Sequence, residues 1–178
     1  MHPDPDQAYI NYLKSVHTSA RPLPIASMEI YLLDQAQDRL YQREVETLRK
    51  LADQFEWAHP RSYEQDLREG ATVIVTDAQK KILWANHRFL TMTGYSVAEA
   101  IGRTPHFLQG TQTDARAVQR LSESLKKVSL NQKTGFIYER LVNYRKDGGI
   151  YVCDIAIDPL RNHGGELTHF VAVEREVV

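Results

Sequence analysis

Apolar positions along this chain follow two periods, and the change from one to the other falls near residue 70. No Gly or Pro interrupts Met28–Trp57, where Leu, Gln, Arg, Glu and Ala dominate, so a helix is predicted from a cap at Ser27 to about Trp57. Tyr41, Val45, Leu48, Ala52 and Phe55 recur at alternating spacings of four and three and line one stripe of it. Leu33, Ala36 and Leu40 make an earlier stripe offset by one residue. Such a face suits a short coiled coil or dimer-docking helix, or a helix packed on its own domain. A second, weaker helix is predicted over Pro3–Val16. The joints fall at Arg21–Pro24 and between His59-Pro60 and Gly70, giving a helical extension over residues 1–69 and a domain over 70–178.

From Ala71 the pattern becomes alternating and rich in turns. ATVIVTD and KILWAN read as two strands around Ala78-Gln79-Lys80. Ser96-Val97-Ala98-Glu99 is a capping-box sequence just after Gly94, and Thr113-Asp114 starts a longer helix through Val118, Leu121, Leu125 and Val128. GFIYERLVNYR, the Asp147-Gly148-Gly149 turn, IYVCDIAI, the Asn162–Gly165 turn and LTHFVAVEREV supply three more strands. Two strands, a group of helices and three strands predict an α+β fold: a five-stranded antiparallel sheet with the helices gathered on one face.

Composition narrows the class. The 178 residues, 42% hydrophobic and 25% charged, suffice for one domain and an extension. Nothing approaches a membrane span, and MHPDPDQAYI has neither the basic nor the apolar region of a secretory signal, so a cytoplasmic protein with no membrane partner is expected. One cysteine, Cys153, excludes an internal disulfide and a Cys-cluster zinc site. A net charge of -1 argues against nucleic acid as the main partner. Residues 1–70 carry 8 basic and 12 acidic side chains against 14 and 11 in residues 71–178, so an acidic arm could dock on a mildly basic domain or on a second copy.

Residues 102–110 read GRTPHFLQG. With Asn86 and Phe89, Thr93-Gly94-Tyr95, Glu99, Thr113-Asp114, the NYRKDG run of 143–148 and Pro159-Leu160, this stretch resembles the light-oxygen-voltage (LOV) subclass of PAS domains, whose signature is GRNCRFLQG. Six of the nine signature residues match. The resemblance covers about residues 70–178 and implies the PAS fold, with a flavin pocket between the sheet and the small helices. It also implies a cysteine that adds to the photoexcited flavin, and at that position stands Pro105, which has no nucleophile.

The pocket can be carried over by position. Gln109 and Asn143 agree with the family's flavin-contacting amides. The second asparagine, ten residues on, is Cys153, and the glutamine of the last strand is Glu174. Thr104 replaces the asparagine before the cysteine, and the two phosphate-binding arginines are His106 and Ser122, with Arg116 and Arg120 near enough in sequence to substitute. Cofactor-contacting positions are thus Gln109, Asn143, Cys153, Glu174, Thr104, His106 and Asn86, and no metal site is implied.

Cys153 reads as a small inward-facing strand residue or as a relocated thiol, and Glu174 as a proton-coupled sensor or as a strand-end carboxylate paired with Arg175, Arg140 or Lys146. No catalytic set or phosphate loop is present in the pattern, so an enzyme is not expected. The expectation is a stand-alone regulatory PAS protein that signals by protein contact, as a homodimer through its N-terminal helix or with a signalling partner. Its pocket is empty or holds a small ligand, FMN or riboflavin being the flavins in question, and no output domain follows the last strand. The alternative is a blue-light or redox sensor working by flavin reduction without an adduct, for which Tyr and Trp side chains supply electrons.

Overall fold

The computed structural model describes residues 25–58, 60–130 and 135–177. The weaker helix predicted over Pro3–Val16, the Arg21–Pro24 joint and His59 lie outside them. The chain divides into two compact units, residues 1–42 and 43–178. The second therefore reaches back well beyond the joint predicted at 70.

Helix α1 spans Ile25–Gln54, starting before the predicted cap at Ser27 and ending short of Trp57. Its end is a Schellman motif: Trp57 N–H donates to the Ala52 carbonyl (3.0 Å) and Glu56 N–H to that of Asp53 (3.3 Å), with Glu56 left-handed at φ 50°. Within residues 25–42 the apolar side chains Ile30, Tyr31, Leu32, Leu33 and Leu40 are exposed. Within the larger unit Val45 and Leu48 are buried, each worth about 1.5–3 kcal/mol. The stripe predicted as a dimer seam is thus, in its central part, a cap on its own domain. Glu44 fixes it further, accepting from His87 N–H at 2.7 Å and bonding His87 Nδ1 at 2.8 Å.

A short helix α2 (Glu64–Arg68) leads into strands β1 (Thr72–Asp77) and β2 (Ile82–Ala85). Helices α3 (Arg88–Thr93) and α4 (Val97–Ala100), a 3₁₀ turn over Pro105–Leu108 and α5 (Ala115–Ser129) follow. Strands β3 (Ile137–Tyr144), β4 (Ile150–Arg161) and β5 (Leu167–Val177) complete an antiparallel sheet of order β2-β1-β5-β4-β3. The capping box forms as the sequence predicts: Glu99 N–H donates to Ser96 Oγ while the Glu99 carboxylate accepts from Ser96 N–H. Gly94 ends α3 in the left-handed region at φ 73°, where a side chain is strained.

Register separates the two faces of the sheet. Phe170, Ala172 and Glu174 of β5 face inward with Ile74 and Thr76 of β1 and Ile155 and Ile157 of β4. The packed helices bury Phe89, Ala100, Ala117, Leu125 and Val128 against this face. His169, Val171, Val173 and Arg175 point the other way, toward residues 55–68. There Phe55 lies tilted against His169 with centroids 4.0 Å apart, the Tyr63 hydroxyl donates to Asp158 at 2.7 Å, and Asp66 accepts from both Arg61 and Arg175.

Candidate functional site

Between the inner face and the helices lies a cavity of about 260 Å³. Its walls are apolar side chains, among them Ile74, Leu108, Leu121, Leu125, Leu141 and Phe170. The 3₁₀ turn closes one side and is set by local sterics. A Cβ on Gly110 would stand 2.4 Å from the Tyr144 ring, so only glycine lets the chain pass there. Thr113 ties the same turn to β3, accepting from Gly110 N–H at 2.9 Å and donating to the Val142 carbonyl at 2.6 Å. Gln109 and Asn143, 34 residues apart in sequence, are thereby brought to one cavity.

Of the residues singled out by sequence, Gln109, Asn143, Glu174, Thr104 and His106 line the cavity, as do Pro105 and Ser122. His106 is exposed, its Nδ1 2.6 Å from Gln109 Oε1. Asn86 is placed elsewhere. It is buried with both ends of its amide used on the β1 backbone, accepting from Val73 N–H (3.0 Å) and donating to the Ala71 carbonyl (2.9 Å). That is a framework role, and Asn86 is not among the residues lining the cavity. Cys153 is fully buried and lies behind Glu174 rather than on the cavity wall.

Arg120 does not turn to the cavity. It holds Glu139 through Nε and Nη2 at 2.9 and 2.8 Å, so it is committed to a bidentate pair. No arginine is among the lining residues. Lys80, which sequence reasoning passed over, is. It ends the β1–β2 turn with φ 65°, and the inward facing of Ile74 and Thr76 just before that turn was the signal that its last residue would sit on the rim.

For Glu174 one of the two expected readings fails. The pairing with Arg175, Arg140 or Lys146 does not occur: these bind Asp66 and Glu69, Asp154, and Glu99 respectively. The carboxyl is 3% exposed, and its one hydrogen-bond donor is the Cys153 thiol at 3.7 Å. Burial raises its pKa to about 7, tempered by that bond. The same burial, with Glu174 alongside, pushes the Cys153 thiol upward and keeps it protonated, hence unreactive. Next along β4, the buried Tyr151 hydroxyl makes no close hydrogen bond, its weak polar neighbour being Asn143, the register partner on β3. Among the described residues no group of three or more His, Cys, Asp or Glu is arranged to hold a metal ion, and no helix is long and apolar enough to cross a membrane.

Residues 70–178 match the family described as PAS domain. The chain is 33% identical over 120 residues to the nitrogen fixation regulatory protein of Klebsiella oxytoca, covering 67% of this chain and 23% of that protein. It is 37% identical over 109 residues to phototropin-2 of Oryza sativa subsp. japonica, covering 60% of this chain and 11% of that one. A solved light-oxygen-voltage domain, studied with a flavin analogue, superposes with a TM-score of 0.58 at 30% identity, covering 66% of this chain and 86% of that chain. The chain thus spans less than a quarter of the length of either of these two curated relatives.

Proposed function

This chain belongs to the PAS domain family, and from that premise we propose a sensory module that signals by protein contact rather than by catalysis, with no cysteinyl-flavin chemistry. Pro105 carries this reading: it lines the cavity on the 3₁₀ turn, where the LOV likeness would put the thiol, and the lone cysteine lies behind Glu174 on β4. The cavity is empty or takes a small ligand other than tightly held FMN. FMN fits it poorly, because no arginine fork lines it to grip a phosphate dianion, which leaves Lys80 as a single point charge, and Glu174 sets a carboxyl where the family has an amide.

Signal leaves through α1, whose exposed Ile30, Leu33 and Leu40 offer a second copy an apolar contact. Light scattering on the full chain tests the dimer. Dissociation of the Leu33→Asp variant into monomers is expected, and a monomeric parent removes the interface.

The visible spectrum of purified protein, with denaturing release of any chromophore, tests the cavity. Little or no flavin is expected, and a near-stoichiometric flavin band overturns the reading. Illumination with added riboflavin should leave no reversible bleaching. Bleaching that vanishes in Cys153→Ala would show that the thiol reaches the ring. Gln109 and Asn143 favour one second reading, a flavin sensor working by reduction without an adduct, since both amides line the cavity and can bond a heterocycle edge. The same spectrum decides between the two.

A further inference from the structure

His169 stands on the outer face of β5, 6% exposed, where the chain leaving α1 crosses the sheet. The Trp57 indole N–H points at its Nδ1 from 3.1 Å, and the Phe55 ring lies against the imidazole at 4.0 Å between centroids. Indole nitrogen is a donor only. Nδ1 must therefore present its lone pair, which fixes the imidazole as neutral with its proton on Nε2. An imidazolium would turn Nδ1 into a second donor facing the indole N–H and would place a charge among Phe55, Trp57 and the register partner Leu160.

We propose that His169 is a proton-operated latch: neutral, it holds the end of α1 on the sheet by accepting from Trp57, and protonated, it expels Trp57 and frees that end. Burial lowers the imidazole below its ordinary value of 6.5, in keeping with a neutral held state.

The groups around it leave the switch intact. From β1, Asp77 pairs in register with His169 and favours the imidazolium, but its Oδ1 already accepts from Lys81 N–H at 2.8 Å. From β4, Asp158 lies two residues before Leu160 and is occupied by the Tyr63 hydroxyl.

What the latch holds is a strained connection. Glu56, without glycine's freedom, sits in the left-handed region at φ 50°. The docking of Trp57 sustains that geometry, with its bridge to Asn162 and the bond from Ala58 N–H to the Arg161 carbonyl at 2.7 Å. Once Trp57 leaves, the 6→1 bond of the Schellman cap and the bridge to Asn162 go with it, and the last turn of α1 can unwind. The device works on the outer face and is independent of what the cavity holds.

The chain has two tryptophans, so Trp84→Phe in the full-length protein leaves Trp57 as the only indole reporter. Acrylamide quenching of Trp57 is followed from about pH 8 to about pH 5, with circular dichroism alongside. A several-fold rise in quenching is expected below the ordinary histidine range while the circular dichroism of the sheet persists. In His169→Gln the amide carbonyl accepts from the indole without titrating, and quenching should stay low throughout. Flat quenching in the His169 protein, a rise that coincides with loss of the fold, or an unchanged rise in His169→Gln overturns the latch. Should that variant fail to fold, the ¹⁵N shifts of the His169 ring decide. The Nε2–H tautomer at high pH, titrating together with Trp57 quenching, supports it, and the Nδ1–H tautomer sinks it.

Discussion

On the inner face of the sheet, two buried polar groups, Tyr151 and Glu174, are poorly met; on the outer face, the polar groups that meet residues 55–68 are paired. Inside, the Tyr151 hydroxyl makes no close hydrogen bond and Glu174 has only a thiol for a donor. Outside, Asp66 takes both Arg61 and Arg175, Asp158 takes Tyr63, and His169 takes Trp57. An unmet buried group costs about 1–3 kcal/mol, so the inner face gives up stability where the cavity lies. The half of the outer face that residues 55–68 cover gives up none, because the chain's own residues pair its polar groups. A fold tolerates local violations where a site requires them, which is why the inner face is read as the place where a ligand would be held.

The largest test concerns whether α1 truly completes the larger unit. Leu48→Asp should lower unfolding stability by about 4 kcal/mol or more, losing the buried side chain and placing a carboxylate against the core. Urea melts of the full chain measure it. A variant that keeps its midpoint while changing only its mass by light scattering would return Leu48 to a dimer seam and remove the completeness of the outer face.

Glu174→Gln sharpens the inner side. The folded carboxyl has its pKa raised from 4.5 to about 7, so the folded protein holds this proton more tightly than the unfolded chain. The resulting stability is fully present below about pH 4.5 and is lost as pH rises through about 7, a swing on the order of 3 kcal/mol. Glutamine does not titrate, so parent and variant should diverge progressively in urea midpoint from about pH 5 to about pH 8, the variant being the more stable at the upper end. A constant offset would mean that the carboxyl reaches water.

Asp66→Asn probes the outer network. It removes the shared anion between Arg61 and Arg175, both of which can fall back on water, so a loss of about 1–2 kcal/mol is expected in the same melts. A loss as large as that of Leu48→Asp would mean that the network, and not apolar burial, holds residues 55–68 in place.

The strands, the capping box and the cavity positions Gln109 and Asn143 were legible because each is carried by local pattern or by a motif with a fixed position on the fold. The fate of α1 was not. A stripe at spacings of four and three states that a face must be buried and says nothing of the surface that buries it, which here is partly the domain's own. Glu174 lines the cavity as its position predicts, and its alternative reading as a paired strand-end carboxylate fails for a related reason. Three arginine or lysine residues seemed available in sequence, yet strand alternation turns Arg175 outward and Glu174 inward, and Arg140 and Lys146 meet nearer carboxylates. Asn86 fell in family order, but order cannot separate a residue that touches ligand from one that ties β1 to the turn after β2. Lys80 was missed because its signal lies in the alternation of Ile74 and Thr76 before the turn and not in the turn itself.

The smallest expected effect belongs to Arg140→Gln. Arg140 and Asp154 are paired across β3 and β4 on the outer face, with Nε 2.5 Å and Nη2 2.7 Å from the carboxylate oxygens, a geometry that looks strong. Their side chains are 60% and 48% exposed, however, and water competes for both charges at nearly the same free energy while salt screens what remains. The pair lies beyond the part of the sheet that residues 55–68 meet, so losing it should leave the thermal midpoint within about 2 °C of the parent and insensitive to added salt. A larger fall would mean that something desolvates this patch in solution, and a second copy seated on the bare half of the outer face would be the first thing to look for. The completeness of that face would then belong to an assembly and not to the single chain.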